Sequence, residues 1–324
     1  MKLYHHTDNL PESVLGSVVA WGNFDGFHRG HQSVFQQTAA IARQNNAPLA
    51  ALTTEPHPRE FFAPDAPSFR LMSLRNKAHM METYGIDVLF VLAFDELLAN
   101  MTAESFVQDL LFGKLGIRHV VTGYDQRFGR DRTGDTELLT RMGADLGFDV
   151  TVVDPVSHDD VAYSSTQVRT CLREGKPDEA AELMGHWWRV EGRVELGDQR
   201  GRTIGFPTAN VHWDGYLEPK LGVYAVRAFV EEGPLMGTYD GVANLGMRPT
   251  FDKTQLSFEV HLFNFDGDLY GQHLGIDLVS FIRPEHKFDG IDALKAQIAA
   301  DGETARADLA HVKFAADRFP PVGR

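Results

Sequence analysis

The chain has 324 residues, enough for two domains that each bury their own core. Its formal net charge of −14 argues against a nucleic-acid partner, because such proteins need a basic surface to displace counterions. No apolar run approaches the length of a membrane span, and the first residues lack a signal-peptide pattern. We therefore expect a cytoplasmic protein without a membrane partner; the sequence does not indicate its oligomeric state.

The first motif is a turn between a predicted buried strand, Val18–Trp21, and a helix predicted at 32–45. Glycines in such a turn let the backbone approach a ligand, and the first N–H groups of a helix favour an anion. His28 and His31 share one face of the opening helical turn, where both imidazoles can donate to phosphate oxygens. The stretch predicts a phosphate-binding turn, and a plain strand-to-helix turn with a capping histidine is the alternative.

The residue order from Gly22 to His31, G-N-F-D-G-F-H-R-G-H, resembles the signature of the HxGH nucleotidyltransferases. Within them it is similar to the FMN adenylyltransferase part of bacterial FAD synthetases. The resemblance implies that His28 and His31 steady the phosphates while a substrate phosphate attacks the α-phosphate of ATP. It also implies ATP contacts for the residues of the loop, namely Gly22, Asn23, Phe24, Asp25 and Gly26.

The following segments alternate between predicted strands and predicted helices. This alternation predicts an α/β domain with a doubly wound parallel sheet, whose ligand lies at the carboxyl ends of the strands. The predicted strands lie at 48–54, 88–94, 119–123 and 149–153, and the predicted helices at 73–84, 103–111 and 136–146.

Two loops follow predicted strands in this domain. Pro56-His57-Pro58 is stiff, which suits the mouth of a site, although it could simply end a strand. Residues 123–135 carry three arginines that could offset polyphosphate charge or could be a solvated turn. Both loops resemble FAD synthetase segments, with departures at Thr54 and Gln126. The resemblance implies flavin contacts for Pro56, Pro58, Phe62, Asp125 and Phe128.

Hydroxyl residues begin the next predicted helix, where they could merely satisfy its unpaired N–H groups. The pattern S-S-T-x-x-R resembles the second signature of the superfamily. It implies ATP contacts for Ser164, Ser165 and Thr166, and binding of the β- and γ-phosphates by Arg169. Catalysis of this kind is positioning and charge neutralisation, with Mg²⁺ bridging the phosphates.

After a helix predicted at 177–184, the pattern changes to strands without intervening helices. This predicts a small closed antiparallel barrel, followed by a terminal helix at 290–312. We expect the boundary near Gly185, which divides the chain into domains 1–185 and 186–324. The predicted strands lie at 188–196, 206–211, 224–230, 235–243, 258–265 and 276–281.

The segment P-T-A-N places Thr208 and Asn210 two residues apart, on one side of an extended chain. Their oxygens suit Mg²⁺, although a hairpin with a polar strand end has the same pattern. Five segments in order, from G-R-T-I-G-F-P-T-A-N to D-L-Y-G, resemble the riboflavin kinase barrel. The resemblance implies Mg-ATP at Thr208 and Asn210, with further ATP contacts at Gly201, Arg202 and Gly205.

Glu259 alternates with apolar neighbours on a predicted strand. Facing inward, its charge would need a metal, a cation or a substrate hydroxyl, and facing outward it would be an ordinary surface residue. The kinase resemblance implies that Glu259 takes the proton from the ribityl 5′-hydroxyl of riboflavin. The tail R-P-E-H-K-F resembles the flavin side of that enzyme, which implies flavin contacts for Arg283 and Glu285, while Leu196 departs from the family pattern.

These motifs cover nearly the whole chain in the order found in bacterial FAD synthetases. The resemblance implies a bifunctional enzyme that phosphorylates riboflavin to FMN with ATP. With a second ATP it would adenylylate FMN to FAD and release pyrophosphate. Two alternatives stay open: an enzyme with one live activity, and a catalytically silent sensor that binds flavin.

Overall fold

A computed structural model describes residues 1–158, 161–197, 204–249 and 254–312. Contacts divide the chain into two compact units. The first contains Met1–Pro67 and Lys77–Ser164, and the second contains Ser68–Asn76 and the described residues from Ser165 onward. None of the helices in the described ranges is both long and apolar enough to cross a membrane.

A six-stranded parallel sheet lies at the centre of the first unit, in the spatial order β1-β4-β3-β2-β5-β6. All four residues of β2 are buried, as expected for a parallel strand covered on both faces. The strand order changes direction between β2 and β5, and doubly wound sheets bind ligands at such a switch point. The strands are β1 (Lys2–Tyr4), β2 (Val18–Trp21), β3 (Leu49–Glu55), β4 (Val88–Ala93), β5 (His119–Gly123) and β6 (Asp149–Val153).

The doubly wound sheet is therefore confirmed, but the predicted helix at 103–111 is less regular than its pattern indicates. Only Ala103–Ser105 is α-helical there, and Phe106–Lys114 continues as a π-helix. The helices are α1 (Arg29–Asn45), α2 (Pro58–Phe62), α3 (Leu74–Thr83), α4 (Glu96–Asn100), α5 (Ala103–Ser105) and α6 (Thr136–Leu146). Two short strands, β7 (Ser157–His158) and β8 (Val161–Ala162), pair antiparallel.

The second unit contains the predicted barrel, which is closed in the order β10-β13-β12-β11-β14-β9 by antiparallel pairing of β9 with β10. Ala305 and Leu309 of the terminal helix pack on Val223, Val242 and Val279 of its strands. The elements are α7 (Ser165–Glu174), α8 (Pro177–Met184), β9 (Trp188–Glu195), β10 (Ala209–Val211), β11 (Gly222–Val230), β12 (Gly237–Pro249), β13 (Thr254–Leu262), β14 (His273–Arg283) and α9 (Ile291–Leu309).

Residues Ser68–Asn76 pack within the second unit although they precede it by about ninety residues. The indole Nε1 of Trp188 donates to the carbonyl of Leu71 at 2.8 Å. The backbone N–H of Leu217 donates to the carbonyl of Arg70, also at 2.8 Å. This upstream segment thus satisfies polar groups around the start of the barrel.

Candidate functional sites

The loop after β2 lies at the switch point of the sheet and has an unusual backbone. Phe24 and Phe27 have φ angles of 51° and 41°, and Gly26 between them has a φ of 84°. The left-handed region costs free energy for a bulky residue, so the surrounding structure must compensate. The rings of Phe24 and Phe27 are buried, with centroids 4.6 Å and 5.1 Å from that of Phe35. Aromatic packing thus holds the predicted phosphate loop in shape.

The two predicted histidines lie together at the start of α1. His28 is the N-cap, and its Nδ1 accepts from the backbone N–H of His31 at 3.4 Å. Their rings stack with centroids 3.6 Å apart. A side chain at position 30 would meet the His28 ring at 3.1 Å and the Tyr163 carbonyl at 3.2 Å, which explains Gly30. The capping role and the juxtaposed imidazoles therefore coexist.

Residues at the end of β3 hold Asn23, the exposed residue of the loop. The Thr53 hydroxyl donates to the Asn23 carbonyl at 3.4 Å, and the Thr54 hydroxyl donates to its Oδ1 at 3.2 Å. Asp25 and Gly26 are buried beside it. Thr54, which departs from the family pattern, thus fixes the side chain of a predicted ATP ligand.

The predicted flavin segment continues from β3 into α2. His57 caps this helix, Pro58 is its first residue, and the Glu55–Pro56 peptide is cis. Phe62 is 68% exposed, so its ring is open to a planar apolar ligand. The ring centroids of Phe61 and Phe94 lie 5.2 Å and 5.8 Å from the centroid of the Phe62 ring. The motifs did not indicate these two rings. Phe94 directly follows β4, the strand that pairs with β3, so only the sheet brings it near Phe62.

The loop after β5 places its two predicted flavin residues differently. Asp125 is exposed, whereas Phe128 is only 6% exposed. The Phe128 ring packs on those of Trp21 and Phe106, with centroids 5.1 Å and 5.7 Å apart. Two backbone hydrogen bonds to Gly134 hold Phe128, at 3.1 Å and 2.9 Å. Phe128 is a core residue that closes the loop, which its motif alone did not indicate.

The polar residues of the same loop are organised by α6. Asp135 is the N-cap and accepts from the backbone N–H of Leu138 at 2.9 Å. That hydrogen bond is the main cause that lowers the pKa of Asp135, and Arg127 adds to it from 3.2 Å. The guanidinium of Arg127 is half-exposed, so a cation remains accessible at the carboxyl end of β5.

The second predicted phosphate segment spans the division between the units. Ser164 ends the first unit, and Ser165, Thr166 and Arg169 lie in the second. Arg169 Nε donates to the Phe69 carbonyl at 2.8 Å, and its guanidinium carbon lies 5.2 Å from the centroid of the Phe69 ring. Its orientation is therefore set by the upstream segment.

Register decides which way Glu259 faces on the barrel. It pairs with Asn210 on β10 and with Asn244 on β12, and cross-strand partners share a face. Asn244 is two residues from Val242, which packs against α9 on the outside of the barrel. Glu259 therefore faces outward, opposite the buried Phe258 and Val260.

The Glu259 carboxylate is nevertheless more than an ordinary surface group. It is half-buried and accepts from the hydroxyls of Thr208 at 3.3 Å and Ser257 at 3.4 Å. Its neighbour Asn244 donates to Glu285 at 3.1 Å. Glu259 thus lies in a row of hydrogen-bonding side chains, of which sequence analysis missed Ser257 and Asn244. The two-residue spacing of Ser257 and Glu259 on a strand was the available signal.

A glycine makes room for Asn210 in this row. A Cβ on Gly197 would lie 2.1 Å from the Asn210 carboxamide nitrogen, so no side chain fits at position 197 with Asn210 in place. Gly205 is exposed and has a φ of 94°. The other two predicted ATP residues of the segment, Gly201 and Arg202, lie outside the described residues.

The predicted flavin residue Arg283 is instead engaged within the protein. Its Nε and Nη2 donate to the buried carboxylate of Asp301 on α9, at distances down to 2.6 Å. Its Nη1 lies 3.0 Å from both the Pro284 carbonyl and His286 Nδ1. Since these contacts occupy the guanidinium, Arg283 anchors α9 on β14, a role that the tail motif did not indicate.

Known proteins resemble the chain over almost its full length. Residues 10–167 match the FAD synthetase family and residues 184–309 match the riboflavin kinase family. The bifunctional riboflavin kinase/FMN adenylyltransferase of Escherichia coli (strain K12) is 42% identical over 308 residues, which cover 94% of this chain and 97% of that protein. Its counterpart in Bacillus subtilis (strain 168) is 37% identical, over 93% of this chain and 94% of that protein.

A crystal structure described as a macrolide-efflux protein from Streptococcus pneumoniae has a TM-score of 0.83 and 30% identity, covering 94% of this chain and 98% of that one. The curated relatives extend across both halves of the chain, as do the two family matches. The chain therefore belongs to the family of bifunctional riboflavin kinase/FMN adenylyltransferases.

Proposed function

We propose that this enzyme divides its two reactions between the two sites described above. One reaction phosphorylates riboflavin to FMN with ATP, and the other adenylylates FMN to FAD with a second ATP. We assign the adenylyltransferase to residues 1–185 and the kinase to residues 186–324. The observation that supports this division is that the stacked histidines lie within residues 1–185 and the Glu259 row within residues 186–324.

In the adenylylation site, the chemistry is charge neutralisation around a phosphate chain. An FMN phosphate oxygen bonds to the α-phosphorus of ATP, the bond from that phosphorus to the bridging oxygen breaks, and pyrophosphate leaves. His28, His31 and the N-terminus of α1 donate to the phosphate oxygens, which carry the developing charge. Phe62, Pro56 and Pro58 frame the flavin. From the motifs alone we assign Asp125 to flavin binding and Ser164 to ATP binding in this unit. The ATP contacts that the second signature implies for Ser165, Thr166 and Arg169, which lie in the second unit, stay predictions.

In the kinase site, Glu259 acts as the general base. Its carboxylate takes the proton of the ribityl 5′-hydroxyl, whose oxygen bonds to the γ-phosphorus while ADP leaves. The hydroxyls of Thr208 and Ser257 orient the carboxylate, since both donate to it. Glu285, held by Asn244, lies in the predicted flavin segment.

Mg²⁺ fits the second site by the chemistry of its donors. Thr208 and Asn210 offer neutral hard oxygens beside one carboxylate, a set suited to an ion that keeps phosphate and water ligands. No group of three or more His, Cys, Asp or Glu side chains in the described ranges forms a metal cage. The ion, when bound, neutralises phosphate charge, and Thr208 and Asn210 hold it.

A cytoplasmic location and the absence of a nucleic-acid partner stay predictions from the sequence.

Product analysis tests the proposal. The protein is incubated with riboflavin, ATP and Mg²⁺, and the flavins are separated by chromatography. We expect FMN followed by FAD. Formation of FMN alone would support the single-activity alternative, and flavin binding without any product would support the silent sensor.

A further inference from the structure

Lys77 is a buried lysine in the first unit. It lies on α3 and is only 1% exposed. Burying an ammonium group costs free energy unless it is hydrogen-bonded or paired, and an apolar side chain of similar length would avoid this cost. A lysine at this position therefore suggests a use for its charge.

The contacts of Lys77 connect it to the loop at the switch point. Its Nζ lies 3.5 Å from the Thr53 hydroxyl oxygen. That hydroxyl has one proton, which it donates to the Asn23 carbonyl at 3.4 Å, so it accepts from Lys77. The chain of hydrogen bonds thus runs from the ammonium through Thr53 to Asn23.

This series of hydrogen bonds lies beside the loop that follows β2, where a positive charge would act on a bound phosphate. Thr53 lies near the carboxyl end of β3, whose neighbour β2 leads directly into the loop. In a buried environment a charge acts more strongly than in water, and it polarises the hydrogen bonds that start from it.

We propose that Lys77 is a positioning residue for adenylylation, which holds Asn23 through Thr53 and supplies fixed positive charge beside the loop that receives the triphosphate. This inference rests on the assignment of adenylylation to the first unit. It distinguishes Lys77 from a core residue, whose task a methionine would perform equally well.

The test compares Lys77→Met with Lys114→Met in the full-length protein. Lys114 is a half-exposed lysine of the same unit, paired with Asp8 at 2.9 Å. For Lys77→Met we expect the KM for ATP in FAD formation, and the KM for pyrophosphate in the reverse reaction, to rise about tenfold. The KM for FMN and the rate of FMN formation from riboflavin should stay within about twofold of wild type. Lys114→Met should match wild type.

Thr53→Val provides a second variant, because it removes the hydroxyl while keeping the shape of the side chain. It should raise the KM for ATP in the same direction and by a smaller factor. An unchanged KM for ATP in Lys77→Met would overturn the proposal, as would a joint rise for ATP and FMN with a lowered Tm. If Lys77→Met does not fold, an unchanged KM for ATP in Thr53→Val would overturn it. Absence of FAD formation by the wild type would instead overturn the assignment of adenylylation.

Discussion

The two candidate sites are built from different parts of the polypeptide. In the first unit, the backbone makes the site: a turn with left-handed Phe24 and Phe27 leads into a helix N-terminus. In the second unit, side chains make it, since register across β10, β13 and β12 aligns Asn210, Glu259 and Asn244.

The difference follows from the two tasks. Holding phosphate requires several converging N–H donors, which a helix N-terminus supplies without any particular side chain. Removing a proton from a hydroxyl is helped by a base, and in proteins a positioned side chain usually provides it. We therefore expect the first site to be sensitive to backbone changes as well as to its two histidines, and the second mainly to the identity of single side chains.

Replacing the proposed base gives the largest expected effect. Glu259→Gln should reduce FMN formation by about a hundredfold or more, because the amide cannot take the proton. FAD formation from added FMN should be unchanged. Separate assays of the two steps measure this. An equal loss in both would contradict two independent sites.

Variants of the two histidines separate phosphate donation from helix capping in the first site. His31→Ala should lower FAD formation by about a hundredfold through loss of a phosphate donor, while FMN formation is spared. His28→Ala should lower it too and should also destabilise the first unit by about 1 kcal/mol, because His28 is the N-cap of α1. Activity assays with thermal unfolding distinguish them. A selective loss of FMN formation would reverse our assignment.

Two glycine substitutions sharpen the comparison between backbone and side chain. At Gly129, with a φ of 71°, a Cβ would lie 2.6 Å from the Ala103 backbone, so Gly129→Ala should destabilise the first unit by about 1–3 kcal/mol. At Gly197 the nearest atoms to a Cβ belong to the end of the Asn210 side chain, which can shift more easily than backbone. Gly197→Ala should raise the kinase KM for ATP and leave the Tm unchanged. Equal Tm losses would contradict the distinction.

The smallest expected effect is a pH-dependent gain in stability. Burial, and then the nearby Glu231, raise the pKa of Glu191 above 4.5. The folded protein therefore favours protonated Glu191, and this contribution is complete below pH 4.5 and is lost as the pH rises through the raised pKa. Glu191→Gln should raise the Tm at pH 7.5 by about 2–4 °C and change it less at pH 4. Thermal unfolding at both pH values checks this, and a gain confined to pH 4 would reverse the sign.

Local patterns were sufficient to predict most of the architecture. The predicted elements at 119–123, 136–146, 149–153 and 177–184 coincide with those of the structure. The barrel and the juxtaposition of His28 and His31 are also as expected. These features depend on periodicity or on neighbours within one turn, which a sequence displays directly. Short elements such as α2 and α4 were not predicted, since they contain too few residues to establish a period.

The sequence by itself determined the order of elements, the family resemblance and the residue types available at each site. Only the tertiary structure decided which of them face a site. Phe128 lies in the core, and Arg283 binds Asp301. Ser257 donates to Glu259, and Asn244 pairs with it across the strands. Lys77 is buried and contacts Thr53. The physical reason is that these contacts join residues from different strands and helices. The register of the strands and the packing of the helices depend on several segments together, so no single segment predicts them.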